Sequence, residues 1–192
     1  MRSLIFFTVL VISAAGPALS GPASVDPNSF HTNANFSVDN NAMSLSTAIA
    51  TIEPRLGAPG YSWLRISFYS FPVAADDIAG ILKGDTGSMD KKWTKKASNP
   101  KDYNNSYAFI QLSVDQSSKV WQVDMSVPGH ACTIAPYVQD VKSFLQDYLF
   151  DGKNLKLKSK GSYVCDMKFM GVPNPKFGWE IDLQTMVFEK VK

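Results

Sequence analysis

Apolar and polar positions alternate along most of this chain. Phe36 to Val38 alternates, Asp39-Asn40-Asn41 supplies a turn, and Met43, Leu45 and Ile49, with Thr47 between them, alternate again out to Ile52. That is a hairpin pattern. Glu53 to Gly60 holds two prolines and two glycines and reads as a loop. Tyr61 to Phe71 is a further strand, with Trp63, Arg65, Ser67 and Tyr69 pointing one way and Leu64, Ile66, Phe68 and Ser70 the other. Two strong strands follow, Tyr107 to Val114 and Val120 to Val127, joined through Asp115-Gln116-Ser117-Ser118. Within the first of them Gln111 is out of step with its apolar neighbours. Asn154 to Ser159, Tyr163 to Met170 and Trp179 to Lys190 are three more strand segments.

Two stretches depart from this period. Val73 to Lys83 has a rough apolar helical face, with Asp76 and Asp77 in its first half and Gly80 weakening it. From Ile134 to Leu149 the apolar residues Ile134, Tyr137, Val138, Val141, Phe144, Leu145, Tyr148 and Leu149 recur at helical spacing. Thr133 suits the N-cap, Pro136 the first turn and Gly152 the far end. The pattern predicts six to eight strands and one or two helices, with hairpins rather than βαβ units. The expected fold is α+β: a mainly antiparallel β-sheet, able to curl into a half-barrel, packed on one long amphipathic helix.

The beginning of the chain reads as an address. Met1-Arg2-Ser3 is a short positive start, Leu4 to Ala15 is uncharged and mainly apolar, and Ala18-Leu19-Ser20 sets small residues before Gly21. This is the layout of a secretory signal peptide over residues 1–20. The Gly-, Pro-, Ser- and Asn-rich residues 21–32 read as an irregular leader, leaving 33–192 as a single domain. The expected location is secreted or periplasmic. In that compartment Cys132 and Cys165 are expected to form a disulfide, since two thiols without CxxC spacing are a poor metal site.

Composition adds little to the fold but narrows the function. Of 192 residues, 45% are hydrophobic and 19% charged, enough apolar matter for a core and too little one-signed charge for a disordered chain. Loss of Arg2 with the signal peptide leaves 18 Lys and Arg against 17 acids, a charge of +1. This near-neutral value hides two clusters. Residues 83–101 carry six lysines against Asp85 and Asp90, and within them lie Lys91, Lys92, Trp93, Lys95 and Lys96. In the second cluster Lys156, Lys158 and Lys160 alternate with Leu155, Leu157 and Ser159, so a strand presents the three lysines on one face. Together the clusters form a candidate site for an anionic polymer, a membrane surface or an acidic protein. The bland alternative is a solvated loop and a strand charged against edge pairing. Nucleic acid is a poor fit, because only Arg55 and Arg65 remain beyond the signal and arginine is the preferred base reader.

Catalytic motifs are scarce. GxSxG, HExxH, EF-hand and P-loop patterns do not occur, and nothing calls for a metal or cofactor. His130, in the Pro128-Gly129-His130-Ala131-Cys132 run that leads into the predicted long helix, is the candidate base for a triad assembled in space. The carboxylates Glu53, Asp124, Glu180 and Asp182 offer a glycosidase pair that nothing in the sequence selects. Aromatic residues on the strands suit either a core or a concave surface for an apolar ligand or a sugar. Asn35-Phe36-Ser37 and Asn104-Asn105-Ser106 match the glycosylation sequon. The expected function is an exported, disulfide-stapled, non-enzymatic binding domain for an anionic surface or ligand. The alternatives are a secreted hydrolase around His130 and a carrier of an apolar small molecule.

Overall fold

The computed structural model describes residues 30–72, 74, 76–77, 80, 107–127, 130–135, 138–166 and 173–189. Among the described residues nine strands make one sheet: β1 (His31–Val38), β2 (Asn41–Pro54), β3 (Tyr61–Tyr69), β4 (Tyr107–Asp115), β5 (Val120–Val127), β6 (His130–Ala135), β7 (Asp147–Phe150), β8 (Asn154–Val164) and β9 (Lys176–Glu189). Their spatial order is β6-β5-β4-β3-β2-β1-β9-β8-β7. Neighbours in that order pair antiparallel, and one parallel contact joins β2 to β9 at Ala50↔Val187, Thr51↔Phe188 and Ile52↔Glu189. β1 includes His31 and Thr32, the last two residues of the stretch read as a leader.

The hairpins follow from local chemistry. Asp39 and Asn40 close β1 to β2 at φ of 48° and 69°, and short polar side chains tolerate that left-handed region. The same turn is stitched to β9, because the Lys176 N–H donates to the Asp39 carboxylate at 2.8 Å. Asp115 organises the β4–β5 connection by accepting from the backbone N–H groups of Ser117 and Lys119, at 2.8 and 3.0 Å.

The alternating apolar residues fill one interior. Phe36, Met43, Leu45, Leu64, Ile66, Phe68, Ile110, Leu112, Met125, Leu155 and Phe177 are all buried, and they join one cluster with Val141 and Phe144. The sheet wraps around them. Cys132 on β6 and Cys165 just past β8 form the expected disulfide, with Cα atoms 6.0 Å apart. In a flat sheet the first and eighth strands of this order lie seven spacings apart, roughly 34 Å at about 4.8 Å each. The sheet is therefore strongly curled, and its two edges face each other across a seam.

The expected long helix is not there. The segment 134–149 is instead the end of β6, a helix α1 of seven residues (Val138–Phe144), and most of β7. The fold is nearly all antiparallel β-sheet rather than α+β. Backbone pairing explains the difference. Cys132↔Met125 and Thr133↔Asp124 place the start of the segment on β5. The Leu145 N–H still bonds the Val141 carbonyl, but the Gln146 N–H goes to the Lys158 carbonyl of β8, which ends the helix. Leu149, expected on the buried helical face, is 62% exposed. α1 bridges the seam, touching β5 and β6 on one side and β8 on the other. Phe144 anchors it against Trp179 with ring centroids 5.2 Å apart. Of the expected helix at 73–83, the described residues Asp76, Asp77 and Gly80 are helical.

Candidate binding site

The register of β2 to β6 assembles a polar row on the outer face. Thr51 pairs with Arg65, Arg65 with Gln111, Gln111 with Asp124 and Asp124 with Thr133. The next row holds Ser67, Phe109, Ser126 and Ala131. Arg65, Gln111, Asp124 and Thr133, with Phe109, Ser126 and Ala131, line an open groove of 570 Å³. Strand alternation forces this arrangement: the inward partners Leu64, Ile66, Ile110, Val123 and Met125 are core, so every second residue must face out.

The groove side chains hold one another in place. The Arg65 guanidinium stacks over the Phe109 ring at 4.0 Å. Gln122 Nε2 donates to both Asp124 oxygens at 3.1 and 2.9 Å, and Thr133 Oγ1 donates to Asp124 Oδ1 at 2.5 Å. Beside this row, Arg55 lies over Trp63 at 4.3 Å and donates to Ser113 Oγ at 3.0 Å. Both arginines that follow the first twenty residues are thus stacked on aromatic rings of this face. Such stacking fixes a flexible cation and favours defined hydrogen-bond directions. A guanidinium, an amide, a carboxylate and two hydroxyls give the groove donors and acceptors of both kinds.

Of the carboxylates singled out by sequence, Asp124 lies in this groove, whereas the lysines and His130 fall elsewhere. Lys156, Lys158 and Lys160 do share the outer face of β8, but each faces a carboxylate. Lys156 Nζ is 2.6 Å from Asp147, Lys158 Nζ 3.6 Å from Asp182 and Lys160 Nζ 3.0 Å from Glu180. Three cations against three anions leave this face locally neutral. The Asp147 carboxylate raises the Lys156 pKa by hydrogen bonding and then by charge. Lys91, Lys92, Trp93, Lys95 and Lys96 lie outside the described residues, as do residues 1–20 and the Asn104 sequon.

His130 opens β6 and is exposed, with its ring edge-on to Phe177 at 6.4 Å. Ser126 Oγ donates to the backbone carbonyl of His130 at 3.2 Å, not to the imidazole. No three or more His, Cys, Asp or Glu side chains gather as a metal site among the described residues.

Sequence reasoning passed over Gln111, Ser126 and Thr133 as functional residues. Gln111 and Ser126 stand out only as polar members of apolar strands. Thr133 carried the opposite signal, since it suits a helix cap. Compared by sequence, the chain matches no family model and no curated protein.

Proposed function

We propose that this chain is an exported, disulfide-stapled binding domain whose outer groove takes a small hydroxyl-rich ligand of the carbohydrate class. The carrying observation is the polar row Arg65–Gln111–Asp124–Thr133, fixed by strand register in a groove of 570 Å³. Vicinal hydroxyls both donate and accept, and such a row offers partners for both on rigid strands. The Cys132–Cys165 bridge and the signal-like residues 1–20 support an oxidising destination. Binding rather than hydrolysis is favoured because Asp124 already accepts from Gln122 and Thr133, which holds it as a fixed acceptor.

The test is a titration of neutral hexose and N-acetylhexosamine tetrasaccharides, followed by backbone amide NMR. Saturable shifts confined to β3–β6 are expected with at least one of them. Gln111→Ala and Thr133→Val should each weaken that binding about tenfold without loss of fold, as both side chains lie outside the core. The reading fails if no sugar saturates, or if both variants bind as the wild type does.

A further inference from the structure

A second concave feature lies at the seam, away from the outer groove. The turn after β4, helix α1 and strand β7 flank an open slot of 390 Å³. Val120 of β5, Val141 of α1, Leu145 just past α1 and Phe150 of β7 supply aliphatic and aromatic walls, and Leu149 extends them to the rim while remaining 62% exposed. Lys119 and Lys142 also line the slot, and among the described lining residues none is acidic. Lys119 is steadied by the Trp121 ring, 4.5 Å from its Nζ.

One buried group there has no partner. The hydroxyl of Tyr148, a slot residue, is shut off from solvent and makes no hydrogen bond within the protein. A buried phenol normally finds an acceptor. Asp115, whose negative charge reaches Tyr148, is committed to other donors: Ser117 Oγ at 2.7 Å and Trp121 Nε1 at 2.8 Å.

We infer that the seam slot binds a single-chain amphiphile with an anionic head, of the fatty-carboxylate class. The alkyl chain lies along the Val120–Val141–Leu145–Phe150 wall beside the exposed Leu149, and the carboxylate sits between Lys119 and Lys142; the Tyr148 hydroxyl, shut off from solvent in the free protein, gains an acceptor when its ring turns toward that head. The volume falls at the low end of small-molecule sites, about 300–1,000 Å³, which suits one alkyl chain rather than a two-chain lipid. Two cations, with no carboxylate among the described lining residues, select the sign of the head. This site stands independently of the sugar groove.

The probe is sodium dodecanoate, held below its micelle threshold and titrated into the whole protein by calorimetry and amide NMR. One saturable site is expected, with shifts at 117–120 and 141–150. Dodecyltrimethylammonium should bind at least tenfold more weakly. A Lys119→Glu/Lys142→Glu variant should lose at least tenfold in dodecanoate affinity with an unchanged melting curve, since both lysines are exposed. Tyr148→Phe should weaken dodecanoate severalfold without lowering the melting temperature of the free protein, where the hydroxyl makes no hydrogen bond; unchanged affinity overturns the contact with the head. The inference is overturned if dodecanoate does not saturate, if both head charges bind alike, or if the shifts appear in β3–β6. Binding to anionic vesicles but not to dodecanoate also overturns it.

Discussion

Asp115 and Asp151 each head a tight connection, and both show how one exposed carboxylate organises several donors. Hydrogen bonds from the Ser117 and Trp121 side chains, then backbone N–H groups, pull the Asp115 pKa from 3.8 to about 2. Asn154, through its side chain first and its backbone next, does the same for Asp151. A carboxyl depressed in the folded state contributes stability that is complete above its unfolded value of about 3.9. That contribution is lost as pH falls through about 2. Carboxyl-carbon NMR titration should therefore give midpoints near 2 for both groups, with the two turns loosening only below about pH 4. These turns are legible in the sequence because Asp and Ser recruit neighbours two to four residues away. Gly161 illustrates the opposite case. A Cβ there would sit 2.9 Å from the Trp179 ring, a contact between strands that no local pattern announces. Gly161→Ala should displace the indole, shift its fluorescence and cost about 1–3 kcal/mol by chemical denaturation.

At the scale of elements, alternation located β1 to β5, β8 and β9 because each has a buried face and an open face. β8 joins two segments that the sequence divides, Asn154 to Ser159 and Tyr163 onward. The segment from Ile134 misled because β6, α1 and β7 together reproduce helical spacing, with Ile134, Val141 and Phe144 all facing the core. What decides between helix and strand there is which distant backbone supplies the hydrogen bonds, and that is set by β5 and β8. The polar groove was illegible for the same reason: each of its residues is visible as an outward position, but their juxtaposition depends on register. α1 survives as a short helix because the far strands complete it. Ser159 of β8 donates to the Phe144 carbonyl at its end and accepts from Trp179 Nε1 at 2.8 Å. Ser159→Ala leaves both buried partners unsatisfied and should destabilise by about 1–3 kcal/mol, read as a lower denaturation midpoint at constant m-value.

For the whole molecule, the disulfide spans the seam that the curled sheet leaves between β6 and β8. Its closed loop of about 34 residues corresponds to about 3–4 kcal/mol of stabilisation on the chain-entropy estimate. Replacing both Cys132 and Cys165 by alanine should lower the unfolding free energy by that amount. Urea unfolding of oxidised and variant protein measures it directly. Sequence composition foretold the bridge from the compartment, but not that it clasps the two ends of one sheet. A kinetic consequence follows from the centre of that sheet. β1 lies between β2 and β9 and pairs Asn33 with Asp182, so the earliest of the described strands is flanked by the latest. Until β9 arrives, β1 presents an unpaired edge, and the interior residues Phe36 and Val38 lack Phe177 and Trp179 beside them. Such non-local pairing makes folding slow relative to local hairpins. A nascent chain cannot close domain by domain as it emerges. The sheet stays open at β1 until β9 has been added to it.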